Sequence, residues 1–112
     1  MIYRQGDVLL VRMDGQKPEA QETVKDGVLA RGEATGHAHR IAPEDLQAGK
    51  AKVFYMAEPR RMIVEAFEPV RLVHEEHKPI TLAPGVYEVR LQREYTPEAL
   101  GYTLKALRYV LD

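Results

Sequence analysis

Every histidine in the chain falls in one of two short strings, His37-Ala38-His39 and His74-Glu75-Glu76-His77. A divalent metal needs several neutral imidazoles or carboxylates at one point, and pairs at short spacing deliver them with little loop-closure entropy. The chain has no cysteine, so thiolate zinc sites, thiolate nucleophiles and disulfides are excluded together, and any metal must bind through His, Asp or Glu. Zinc or iron suits such a nitrogen and oxygen set best, although nickel and manganese would tolerate it. Imidazoles bind only when neutral, so affinity should fall below roughly pH 6.5. Zinc-protease helix motifs, phosphate-cradling glycine loops and Gly-x-Ser-x-Gly elbows are absent, which disfavours those enzyme classes.

The two strings make different demands on the backbone. Residues two apart in a strand share a face roughly 7 Å apart, so His37 and His39 can converge on one ion if they lie on a strand. Glu33 has the same parity, subject to a register change at Gly36, and is the candidate general base or third ligand. His74 and His77 share a face only in a helical turn or compact loop, and Lys78-Pro79 supports a local turn. Glu75 and Glu76 could ligate, fix imidazole tautomers, or simply solvate a loop. Taken singly, each string is more readily a solvated turn or a polar hairpin tip. Together they predict that His37, His39, His74 and His77 meet at one metal site.

The string Gly32-Glu33-Ala34-Thr35-Gly36-His37-Ala38-His39, followed by His74-Glu75-Glu76-His77-Lys78-Pro79-Ile80, Gly85-Val86-Tyr87 and Gln92-Arg93-Glu94-Tyr95, resembles a group of small bacterial and phage proteins of uncharacterised function. That likeness marks the same site residues and implies no reaction. The order His37, His39, Glu44, Gly49 is also similar to the first motif of the cupins, small β-barrels; the likeness implies His37, His39 and Glu44 as ligands, completed by His74 or His77. The glycine comes early, Pro43-Glu44 suits a helical turn where a cupin continues its strand, and no later segment matches the second cupin motif.

The elements that must position these residues are short runs rich in Val, Ile and Tyr, separated by Gly, Pro and Asp turns. Strands are expected at 7–13, 28–33, 37–41, 51–56, 62–67, 70–73, 80–82 and 86–95, with a helical turn at Pro43 and a surface loop over 16–27. The expected fold is therefore mainly β, a single small β-barrel or β-roll of about seven to nine strands over residues 1–112. Val8, Leu10, Val53, Tyr55, Ile63, Leu72, Tyr87, Val89 and Leu91 stand at alternating positions and form the expected core. A short C-terminal helix is expected after Thr96-Pro97, from Leu100, Leu104, Leu107 and Leu111; a short helix followed by a final strand fits nearly as well.

Lysines and arginines number 16 against 17 acids, so no overall field draws the chain to nucleic acid or an anionic membrane. No apolar run reaches signal-peptide or bilayer length, and a cytoplasmic protein is the expectation, with a homo-oligomer open. Two classes of function follow. One is a metal-dependent enzyme acting on a small-molecule substrate, with Glu33 as base. The other is a non-enzymatic accessory or protein-interaction module with Arg60, Arg61, Arg90 and Arg93 on its binding face.

Overall fold

A computed structural model describes residues 2–14, 19–32, 36–57 and 60–92. Ten strands and one short helix are present among them. A six-stranded sheet has the order β1 (Ile2–Gln5), β2 (Val8–Arg12), β10 (Gly85–Leu91), β7 (Arg61–Ala66), β6 (Ala51–Met56), β3 (Ala20–Thr23). A four-stranded sheet has the order β4 (Val28–Arg31), β5 (Ala38–Ile41), β8 (Val70–Val73), β9 (Ile80–Leu82). Every neighbouring pair is antiparallel. The helix, α1 (Pro43–Gln47), starts on its proline and joins β5 to β6.

The two sheets close over one core. Val8, Leu10, Val53, Val64 and Tyr87 from the larger sheet pack with Leu29, Ile41, Val70, Leu72 and Leu82 from the smaller. Alternation explains the selection: register pairs Leu10 with Val89 and Tyr87 with Val64, and paired residues share a face. Asp45 of α1 accepts the Arg71 backbone N–H at 3.0 Å, which ties the helix to β8. Among the described residues, no helix is long and apolar enough to cross a membrane.

Four expectations change. The described strands form two sheets and no closed barrel, because the hydrogen-bonded ladder is interrupted where the chain crosses between sheets, at turns and, between β5 and β6, through α1. Gly27 makes one such turn at φ +68°, where a Cβ would stand 2.9 Å from Leu46. The expected surface loop over 16–27 contains β3, and β1 precedes the first expected strand. Leu91 shares the core face of β10 but is 41% exposed, since it is the strand's last residue, where the chain leaves the sheet. Glu88, on the face of β10 opposite Tyr87, is buried between Arg61 and Arg90. The expected C-terminal helix lies outside the described residues, as do Glu33 and Arg93.

Candidate metal centre

Three stretches of chain build the site. His39 lies on β5, with His37 just before it; His74 and His77 lie on the bend that joins β8 to β9. The β1–β2 hairpin turn supplies the third wall as Gln5, Gly6 and Asp7.

His39, His74 and His77 come together tightly. Ring centroids are 4.2 Å apart for His39 and His74, 4.6 Å for His74 and His77, and 5.4 Å for His39 and His77. One ligand atom from each lies within 4.8 Å of the other two. Metal–imidazole bonds are about 2.0–2.1 Å, so closing this set on an ion needs ring movements of order 1 Å. His37 joins at the edge of the group, its ring 5.7 Å from that of His74 and nearly perpendicular to it.

The proton on His39 can be placed by elimination. Gln5 Nε2 donates to two backbone carbonyls, Leu72 O at 3.0 Å and Lys78 O at 2.9 Å, so the amide orientation is fixed. Gln5 Oε1 must then accept, and its partner at 2.9 Å is His39 Nδ1. The neutral imidazole therefore carries its proton on Nδ1 and presents a bare lone pair at Nε2. That lone pair lies 3.5 Å from a carboxylate oxygen of Asp7. Burial first, then the neighbouring His74, push the His39 pKa down to about 4, against a smaller upward pull from Asp7. His39 is thus neutral at pH 7, although a carboxylate stands beside it.

His74 is also held below the ordinary imidazole range, by burial and then by His77. Its Nδ1 accepts the Glu76 N–H at 3.0 Å, which places the proton of the neutral ring on Nε2. Glu75 anchors the bend to β5: Oε1 accepts the Ala38 N–H at 2.9 Å, and that bond holds its carboxyl below the usual carboxylate range. Gly6, at φ +60°, lets the hairpin turn approach the rings, since a Cβ there would stand 2.7 Å from His77 Nε2.

Exposure grades outward from His39, which is buried, through His74, which is half-buried, to His77, which is exposed. The group therefore opens to solvent on one side. Glu44, the ligand implied by the cupin likeness, stands on α1 with Oε2 2.7 Å from Arg71 instead of on a strand beside the histidines. The residues that sequence reasoning missed are Gln5, Gly6 and Asp7. A Gly-Asp pair after Ile2-Tyr3-Arg4-Gln5 is a turn signal that could have revealed the hairpin, though not its contact with the histidines.

Gln5→Ala should cost about 1–3 kcal/mol of stability, because it strips a donor from the buried Leu72 and the Lys78 carbonyls and an acceptor from His39. Urea unfolding of the metal-free protein measures this directly.

Residues 4–92 match the family described as a domain of unknown function (DUF8820). No curated protein and no solved structure matches the chain.

Proposed function

We propose, for a chain that belongs to the DUF8820 family, that it is a divalent-metal-binding domain whose ion is held by His39, His74 and His77 with Asp7 alongside. One observation carries the reading. Gln5 fixes the lone pair of His39 Nε2 toward a carboxylate, in a buried position where protonation is disfavoured. Two acceptors facing each other repel, and a cation between them converts that repulsion into attraction. A hydrogen bond of this kind, with the distal imidazole nitrogen donating to a fixed oxygen, is how metal-ligating histidines are oriented.

Three imidazoles with an exposed side suit a catalytic metal, which keeps one position for water or substrate, better than a closed structural one. When bound, such an ion lowers the pKa of a coordinated water or polarises an oxygen of a small-molecule substrate. The chain's own contribution is then clear. His39 anchors from inside, His74 and His77 close the rim, and Asp7, half-exposed beside His39 Nε2, is placed to accept a proton or to complete the ligand set. Asp7 offers the same base or ligand chemistry that the sequence suggested for Glu33, which lies outside the described residues. Zinc and iron remain the metals of choice for this donor set.

Of the arginines offered for an interaction face, the three among the described residues are engaged within the chain. Arg60 pairs with Glu22 at 2.9 Å and lies over the Tyr55 ring, and Arg61 and Arg90 both pair with Glu88. This weakens the module reading relative to the metal reading.

Elemental analysis of the purified protein and calorimetric titration of the metal-free protein with zinc test the proposal. Cobalt substitution adds a spectrum that reports coordination geometry. Failure of every divalent ion to bind would overturn it. Gln5→Ala should also weaken binding by roughly 10- to 100-fold.

The pH dependence differs from that of free imidazole. Three ordinary histidines would each give up a proton near pH 6.5, and binding would weaken by up to about three logarithmic units per pH unit below that value. His39 takes its proton only near pH 4, and His74 below the ordinary range. Between pH 6.5 and 5 the logarithm of Kd should therefore change with a slope well short of three. A slope of three would show that the folded site does not hold His39 neutral.

A further inference from the structure

We infer that a second divalent-cation subsite adjoins the first, formed by His37 and Glu75 and joined to the three-imidazole site through His74. The inference rests on the metal reading above. Its basis is that the four histidines form two overlapping groups. Ligand atoms of His37, His74 and Glu75 lie within 4.8 Å of one another, as do those of His39, His74 and His77, and only His74 belongs to both sets.

The second set has its own supports. Glu75 is held by the Ala38 N–H through Oε1, so its other oxygen, 3.9 Å from Arg40, is the one available to a cation. Glu76 Oε1 stands 3.3 Å from His37 Nδ1, bringing a second carboxylate to the same place. Ala38, between the two histidines of its string, is buried and bonded to Glu75, so the strand that aims His39 at one set also carries His37 to the other. Imidazole with carboxylate is a harder donor set than three imidazoles, and it suits manganese, iron or zinc.

Sharing His74 ranks the two steps. An imidazole has two nitrogens on different edges, and in His74 the Nδ1 edge already accepts the Glu76 N–H. The first ion takes the one lone pair of the neutral ring in place of the Glu76 N–H, so a second ion can share His74 only if the ring also gives up its remaining proton to solvent and bridges as an imidazolate. The second ion should therefore bind more weakly than the first.

Stoichiometry decides the matter. Metal-free protein is titrated with zinc by calorimetry, and separately with manganese, counting free manganese by its magnetic resonance signal. The expected result is two ions per chain in unequal steps. His37→Ala and Glu75→Gln should each lose the weaker step and keep the tighter one; the glutamine can still accept the Ala38 N–H, so the bend stays anchored. One ion per chain, with binding indifferent to His37→Ala, would overturn the second subsite and leave the first intact. One ion whose binding is weakened by His37→Ala would make His37 a ligand of the first site, and would overturn the inference equally. No binding by the wild-type chain would remove the first site as well.

Discussion

Replacing His39 with alanine should weaken divalent-metal binding by at least about 100-fold, more than loss of a residue that only orients a ligand. His39 is the innermost of the three imidazoles and the one whose donor atom Gln5 pre-sets. His74 and His77 would remain, but both sit on one bend, and nothing would anchor the ion to β5. A second readout, independent of metal, accompanies the first. In the unfolded chain His39 takes up a proton near pH 6.5, whereas in the folded chain it does so only near pH 4. Between those values the unfolded state binds more protons, so the metal-free wild type should lose stability as pH falls from 6.5 toward 4, by something of order 2 kcal/mol. His39→Ala should remove most of that slope. Calorimetric titration at pH 7 and urea unfolding at pH 7 and 4.5 measure the two effects. Unchanged metal affinity would sink the site, and an unchanged pH slope would show that another group controls acid stability.

Tyr87→Ala should be the most damaging single substitution to the fold. The ring is wholly buried at the centre of β10, packs edge-on against Tyr3 with centroids 5.7 Å apart, and lies in the cluster that joins the two sheets. Truncating a buried aromatic costs about 3–5 kcal/mol, and a domain of this size has only about 5–15 kcal/mol in total. The variant should be close to unfolded at 37 °C. Tyr87→Phe separates packing from polarity, because it keeps the ring and loses only the hydroxyl, with its 2.6 Å bond to the Ala83 carbonyl and its polar contacts to Tyr3 and Arg12. That loss should cost about 1 kcal/mol, or a fall in Tm of about 4–8 °C. Equal damage from both variants would mean that the hydroxyl, not the ring, organises this part of the core.

What could be read in advance follows from which signals are local. Alternation along β10 identified Tyr87 because a half-buried strand writes its faces into the sequence at period two. The same rule misled at Leu91, since alternation reports the face and not how far along the strand the covering sheet extends. β3 was hidden for a related reason: all four of its residues are exposed, so no apolar pattern marks it. Strand formation there comes from pairing with β6, which a single segment does not reveal. The histidine strings were legible because residue type and spacing alone suggest ligands. Gln5 and Asp7 were not, since a glutamine or aspartate acquires meaning here only when the hairpin tip docks against Leu72, Lys78 and His39, far along the chain.

The strand that left no mark in the sequence also governs how molecules can meet. The rim of an antiparallel sheet offers unpaired amide and carbonyl groups to any passing strand, and long, flat, apolar rims seed aggregates. Among the described residues, β3 forms one rim of the larger sheet with only four residues, Ala20, Gln21, Glu22 and Thr23, and its register slips between Ala20 and Glu22. Glu22 is held in place by Arg60. An incoming strand would find few ladder bonds to make, a break in their spacing and an ion pair to cover. The polarity that hides β3 from pattern reading is therefore what keeps this edge from templating the next molecule.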